Sequence, residues 1–445
     1  MPLPDNKAKA VPPTPEEKLD KILKKFGDTN KTADNNPGED LRKILDDSPD
    51  LKKRILDSVD KGFLTNFKAL PPNSGMGGSY ESGAKAINLP MDVLKEANTK
   101  AQKKGELVFV MGHEIQHSFN AAETKKTTKD FLDGVETVAK NKAGPHDYTK
   151  LTGDFIEASR KDEASAHIGG FNAIVSQAKK ANPDATLKDI YKTAPGRMDD
   201  FITVTGDAAN YTYTMKPGLT LNADMTMPYS KDNVAAMGEY YFNKAPDVSR
   251  LGAHGNLDYT NYYGSWAMNV AGDREKAYQD FYQKTDKKYA APEVHFDMKQ
   301  IGLKEDLIKQ NVKFADHKAF SYVDTSDGNN TPKLLNPVAN AKIDHPDKPV
   351  AYRAELMAMK PDAMNLERLE SSQRSTSVSK QSFEDMAGGG LKLKQATTSD
   401  AKPDDPASPS PKRLLMGDDL PSSRMLVSVS ESLRNSSPKP GEYKN

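Results

Sequence analysis

Hydrophobic positions along the first 180 residues recur every three or four residues, which is the spacing of an amphipathic helix. Thr14, Pro15 and Glu17 open the first such segment with the signature of a capping box, and Ser48 with Pro49 opens another. The pattern predicts helices over residues 14–28, 40–47, 48–64, 91–104, 106–119 and 154–182. This part of the chain is therefore expected to be mainly helical.

One segment departs from helical spacing. Residues 71–90 are rich in glycine and proline, which mark loops, and residues 84–89 (AKAINL) form a strand candidate among them. Gly105 separates the helix over 91–104 from the apolar helix over 106–119. The predicted fold class is α+β, mainly helical, with a small sheet.

Composition divides the chain into four parts. Residues 1–35 are predicted to be a flexible segment with one helix, and residues 36–300 to be the main domain, with a Tyr-rich C-terminal half. Residues 301–365 form an accessory segment. Residues 366–445 are rich in Ser, Pro, Thr and Gly, bury too little apolar surface to offset chain entropy, and are predicted to be disordered.

The charge and residue content exclude several classes of function. The 63 basic and 63 acidic side chains cancel, so no overall field favours nucleic acid or an anionic membrane as a partner. No apolar run is long enough to span a bilayer, and the N-terminus lacks the apolar region of a Sec-type signal. The absence of cysteine rules out disulfides, thiolate metal sites and cysteine nucleophiles.

The apolar helix carries a motif with a known chemistry. His113 and His117 in HEIQH lie one turn apart on one helical face, so both imidazoles can reach one zinc ion at about 2.0–2.1 Å. Glu114 is rotated by about a quarter turn and can touch a metal-bound water without ligating the metal. This spacing is that of zinc metallopeptidases, in which the glutamate is the general base.

A zinc ion that acts in catalysis needs a third protein ligand and leaves a fourth position for water. No histidine follows His117 at short spacing, so a carboxylate on a downstream helix is expected. Glu163 is the favoured candidate because its helical face is apolar or small, and Glu157 is the alternative. His167, one turn after Glu163, is interpreted as a packed residue, an outer hydrogen-bond partner of a ligand or a competing ligand.

HEIQH followed by DEASAH resembles the gluzincin branch of the zincin metallopeptidases, including compact bacterial toxins and effectors. The resemblance covers about residues 75–180. It implies a zincin-like core in which the edge strand of the sheet, here residues 86–89, aligns an extended substrate. One departure is that the thermolysin-like pattern has an aspartate four residues after the ligand glutamate, where this chain has His167.

Peptide hydrolysis also requires a donor for the developing oxyanion. His254, Tyr259 and Tyr263 lie in a glycine- and tyrosine-rich stretch and are the candidates, although such a stretch could equally pack against Trp266. The remaining histidines are interpreted as structural or solvated: His146, His295, His317 and His345.

The leading functional hypothesis is a zinc endopeptidase, acting on protein or peptide and exported without a Sec signal as a bacterial effector or toxin. The tail would then serve as a secretion or docking segment, for example for a chaperone, or merely as a linker. Without export the protein is expected to be cytoplasmic. Two alternatives remain open. One is a zinc hydrolase of peptidoglycan stem peptides, because the motif does not separate amide substrates. The other is a non-catalytic binding or adaptor protein on a zincin scaffold.

Overall fold

Helices dominate the part of the chain that the computed structural model describes, which comprises residues 12–70, 77–206, 210–249, 251–252, 255–309, 311–312 and 319–335. The α-helices are α1 Pro15–Asn30, α2 Pro37–Asp46, α3 Pro49–Asp60, α4 Met91–Ala97, α5 Ala101–Lys140, α6 Thr149–Ala181, α7 Leu187–Thr193, α8 Pro195–Met198, α9 Lys231–Met237, α10 Pro246–Ser249, α11 Tyr259–Thr285 and α12 Glu305–Ile308. A π-helical turn, Gly238–Phe242, follows α9 directly.

The strands are short and form three small sheets: β1 Asn66–Ala69, β2 Ser79–Glu81, β3 Ala86–Leu89, β4 His146–Asp147, β5 Ile202–Thr205, β6 Thr212–Met215, β7 Val294–Phe296, β8 Phe320–Asp324 and β9 Thr331–Leu335. One sheet has the order β1-β3-β2, the second β4-β7-β8-β9, and the third is the hairpin β5-β6. The α+β, mainly helical class predicted from the sequence is confirmed.

The prediction that residues 86–89 form the edge strand of the first sheet is wrong. They do form a strand, β3, but it is the central strand, parallel to β1 and antiparallel to β2. Both backbone edges of β3 are therefore used within the sheet, and it cannot align a substrate. The outer strands of this sheet are β1 and β2. The sequence did not indicate β2, because a three-residue strand among glycines carries almost no periodic signal.

The prediction that Gly105 separates two helices is also wrong, as helix α5 shows. It runs without a break from Ala101 to Lys140, so Gly105 is internal to the helix and does not begin it. A Cβ at Gly105 would collide with the backbone carbonyl of Thr193 at the end of α7. Glycine is needed here for the close approach of two backbones, a reason that is invisible in the sequence.

The N-terminal helices form part of the main core. The capping box at Thr14 and Glu17 is present, and α1 continues beyond the predicted end at residue 28 to Asn30. Its apolar face, including Leu19 and Leu23, is buried together with the apolar residues of α5 and α6. Ser48 precedes α3 as expected, but its side chain makes no capping hydrogen bond.

The second sheet joins distant parts of the chain. β4 lies between α5 and α6, and it pairs with β7, which pairs with β8. The boundary predicted at residues 300/301 thus falls between two paired strands.

No helix in the described ranges is long and apolar enough to cross a membrane. The predicted tail, residues 366–445, lies outside the described residues.

Candidate metal centre

The site forms where α5 and α6 cross at very close range. A Cβ on Gly112 would lie 2.6 Å from the Gly169 carbonyl oxygen, and one on Gly169 would lie 2.5 Å from the Gly112 carbonyl oxygen. Larger residues at either position would push the helices apart. The adjacent glycines Gly169 and Gly170 of α6 leave room for this close approach. It places His113 and His117 of α5 against the inner face of α6.

Three buried side chains converge at this crossing. His113, His117 and Glu163 each present one ligand atom, and these three atoms lie within 4.8 Å of one another. The two histidine Nε2 atoms are 3.0 Å apart, and Glu163 Oε2 is 3.5 Å from His113 Nε2. The exposed fraction of each of these residues is 6% or less, so they lie in the interior and not on a solvated helical face.

Two of the three separations match those of ligand atoms around a single tetrahedral ion. Two atoms that each lie about 2.0–2.1 Å from one zinc ion at the tetrahedral angle are about 3.3–3.4 Å from each other. The two closest pairs, at 3.0 and 3.5 Å, bracket that value. In addition, the buried Glu163 Oε2 has no hydrogen-bond partner. A buried carboxylate oxygen without a partner is costly, and a divalent cation would satisfy it. This group can therefore bind a metal ion.

The pKa values of the three clustered side chains are shifted by burial and by neighbouring charges. Burial drives the pKa of His113 well below its usual value and that of Glu163 well above its usual value. Burial also opposes protonation of His117, but the charge and hydrogen bond of Asp162 outweigh it and raise the pKa of His117 to about 10. Without a cation, His117 and Glu163 are therefore biased towards their protonated forms and His113 towards its neutral form.

Asp162 is a site residue that the sequence analysis missed. Its Oδ2 lies 3.2 Å from His117 Nδ1, the nitrogen that faces away from the ligand cluster. Its other oxygen, Oδ1, accepts a 2.6 Å hydrogen bond from Asn120 Nδ2. A carboxylate behind a ligand histidine fixes the tautomer that leaves Nε2 free to bind metal. The only sequence signal was that Asp162 directly precedes Glu163.

Glu114 lies beside the cluster and is fully buried. Among the described residues no side chain donates a hydrogen bond to its carboxylate oxygens, and the backbone of Tyr80 in β2 is the hydrogen-bonding group beside them. It faces the sheet, because a Cβ on Gly78, next to β2, would lie 3.5 Å from its Cγ. Burial raises the pKa of Glu114 to about 7, against the lowering effects of His117 and the Tyr80 backbone. A carboxyl group with this pKa can both accept and release a proton near neutrality.

The alternative ligand Glu157 lies elsewhere. Its side chain is 51% exposed and forms ion pairs with Arg160, at 3.7 Å, and Lys161, at 3.4 Å. Glu157 and Glu163 are six residues apart on α6 and therefore face different directions. Of the two candidates, only Glu163 belongs to the buried cluster.

The oxyanion candidates have distinct surroundings. The hydroxyl of Tyr263, near the start of α11, donates a 2.9 Å hydrogen bond to Glu163 Oε1, so Tyr263 orients the candidate ligand. Tyr259 is buried and shares a short hydrogen bond with the hydroxyl of Tyr241 in the π-helical turn. Tyr241 was not among the predicted site residues. His254 lies outside the described residues.

His167 lies behind the cluster, on the same helix as Glu163. Its Nε2 is 2.9 Å from Asp200 Oδ2, and its ring lies between Tyr241 and Phe201. It is therefore not one of the three convergent residues. Of the other histidines, His146 is buried with Nδ1 2.6 Å from Glu275 Oε1, as expected of a structural residue.

The chain was compared with protein-family models, curated proteins and solved structures. No protein-family model, no curated protein and no solved structure shows significant similarity to the chain.

Proposed function

We propose that this protein is a zinc-dependent endopeptidase with a gluzincin-like core. The observation that carries the proposal is the convergence of His113, His117 and Glu163 in the interior, next to the buried carboxyl group of Glu114. A donor set of two imidazoles and one carboxylate is that of zinc sites that keep a position for water or substrate. A structural zinc site would instead use a fourth protein ligand.

The chemistry follows from the residues around the cluster. A zinc ion held there would act as a Lewis acid towards the scissile carbonyl and lower the pKa of water. Glu114, buried beside the cluster, is the group that accepts the proton of the attacking water and delivers it to the leaving amine. Asp162 and Tyr263 hold His117 and Glu163 in their binding orientations.

The proposal places an extended peptide along β2. This strand is at the edge of its sheet and leads from Gly78, whose neighbour is Glu114. An extended chain added to a sheet edge is held by backbone hydrogen bonds, which recognise a peptide irrespective of sequence. An endopeptidase needs such recognition, since the bond it cleaves lies within a chain.

The test compares Glu114→Gln with the wild type. Zinc content is measured on both purified proteins, and hydrolysis is measured on unfolded proteins and on a purified cell-wall preparation side by side. Because Glu114 is not a ligand, the variant is expected to retain zinc and to lose about 10²- to 10⁴-fold in hydrolysis. Glu123→Gln, an exposed position of the same helix, is the matched control and should retain activity.

Two outcomes would change the conclusion. Full hydrolysis by Glu114→Gln would exclude Glu114 as the base. A wild type that binds zinc but hydrolyses neither substrate would favour a binding protein with a structural metal, and cleavage of wall peptides alone would redirect the substrate to peptidoglycan.

A further inference from the structure

His167 has one satisfied and one unsatisfied ring nitrogen. Nε2 lies 2.9 Å from Asp200 Oδ2, and the same oxygen accepts a 2.6 Å hydrogen bond from Lys244 Nζ. An ionised aspartate paired with a lysine is an acceptor only, so His167 Nε2 carries the proton. In a neutral ring the other nitrogen, Nδ1, is then an acceptor, and it is buried without a hydrogen-bond partner.

His113 presents the complementary group. Its Nε2 faces the ligand cluster, so a metal-bound His113 carries its proton on Nδ1. That Nδ1 is also buried without a hydrogen-bond partner. A donor and an acceptor, each buried and unpaired, therefore lie on neighbouring rings. Buried polar groups are seldom left in this condition, and a shared hydrogen bond would satisfy both.

Aromatic rings pack around His167, and the ring of His113 is one of its neighbours. One face of His167 stacks on Tyr241, with centroids 3.7 Å apart, and Phe201 stacks at 5.0 Å. The centroids of His113 and His167 are 5.8 Å apart, with their planes at 86°. Ring nitrogens that point at each other across this gap would be on the order of 3.5 Å apart, close to hydrogen-bonding distance.

We propose that His167 and Asp200 form a relay that orients His113: His113 Nδ1 donates to His167 Nδ1, and His167 Nε2 donates to Asp200. The inference rests on the proposed metal site. It makes His167 a positioning residue, which fixes the tautomer and ring angle of His113 as Asp162 does for His117. The two histidine ligands thus receive support of different kinds, one directly from a carboxylate and one through a second imidazole.

The experiment measures the zinc dissociation constant by competition with a chelator. His167→Phe keeps an aromatic ring between Tyr241 and Phe201 but removes both nitrogens, and zinc affinity is expected to fall about 10- to 100-fold. His167→Asn restores an acceptor and a donor and should recover most of that loss. His146→Phe, which alters a buried, carboxylate-paired histidine in another part of the fold, is the matched control and should not change zinc affinity.

A second measurement needs no variant. In zinc-loaded wild type, the imidazole ¹⁵N resonances should show His167 protonated on Nε2 and unprotonated on Nδ1, and His113 with a slowly exchanging Nδ1 proton. Unchanged zinc affinity in His167→Phe, or a His167 ring protonated on Nδ1, would overturn the relay. A wild type that binds no zinc would instead refute the metal site itself, so the two failures are distinguishable.

Discussion

His113 and His117 direct their Nε2 atoms at each other across one turn of α5, at a distance of 3.0 Å. Two neutral imidazoles in this geometry cannot both present lone pairs without repulsion, so either a proton or a cation must lie between them. The carboxylate of Glu163 borders the same space, with Oε2 3.5 Å from His113 Nε2.

Removing the carboxylate of Glu163 should abolish tight metal binding. Glu163→Gln keeps the size of the side chain but loses the charge, and zinc affinity should fall by more than the 10- to 100-fold that is typical of losing an outer hydrogen-bond partner. Glu157→Gln, on the same helix but exposed, is the control and should bind zinc as the wild type does. Equal zinc content in all three proteins would show that Glu163 is not a ligand.

Metal binding should release protons near neutral pH. The pKa of His117 is raised to about 10 in the metal-free protein, so at pH 7.5 its imidazole is protonated and must lose a proton to ligate. The expected release is on the order of one proton per zinc, and zinc affinity should therefore rise with pH. Titration calorimetry in buffers of different ionisation enthalpy measures this release. Buffer-independent heats would contradict it.

Asp162 should matter for metal affinity although it is not a ligand. Asp162→Asn removes the charge that holds His117 Nδ1, and zinc affinity should fall about 10- to 100-fold. Asp154→Asn, at an exposed position of α6 where Asp154 pairs with Lys150, provides the control. If both variants bind zinc equally well, Asp162 has only a local structural role.

Tyr263→Phe should weaken metal binding while leaving the fold intact. The substitution removes the hydroxyl that donates to Glu163 Oε1 but keeps the ring against Phe242. Zinc affinity is the decisive measurement, because a residue that acts only on the oxyanion would change hydrolysis and leave affinity unchanged. Tyr240→Phe, whose hydroxyl donates to the Pro217 carbonyl, is the control.

Gly112→Ala should destabilise the helix crossing. The added Cβ would lie 2.6 Å from the Gly169 carbonyl oxygen, and overpacking of this kind costs about 1–3 kcal/mol. Gly153→Ala, on an outer part of α6, meets Ile301 at 3.4 Å and should be neutral or stabilising by about 0.5–1 kcal/mol. Denaturant unfolding of the metal-free proteins measures both. A Gly112→Ala variant as stable as the wild type would show that the crossing can widen freely.

The sequence by itself determined the helices and part of the site. Helical periodicity and the capping box at Thr14 predicted α1 and α6, because these are local properties of a few neighbouring residues. The spacing of His113 and His117 predicted that both share one face of α5, since a helix fixes that relation without any tertiary contact. The predictions about export and the tail also come from the sequence and stay predictions.

Tertiary structure decided what the local pattern could not express. The apolar face of α6 had already favoured Glu163 over Glu157, but only the Gly112–Gly169 crossing brings Glu163 against His113 of α5. Asp162, Tyr241 and Asp200 contact site residues through packing and not through sequence spacing, so no motif indicated them. The position of β3 in the middle of its sheet likewise depends on pairing with a distant strand, because hydrogen bonds between strands are not encoded by either strand alone.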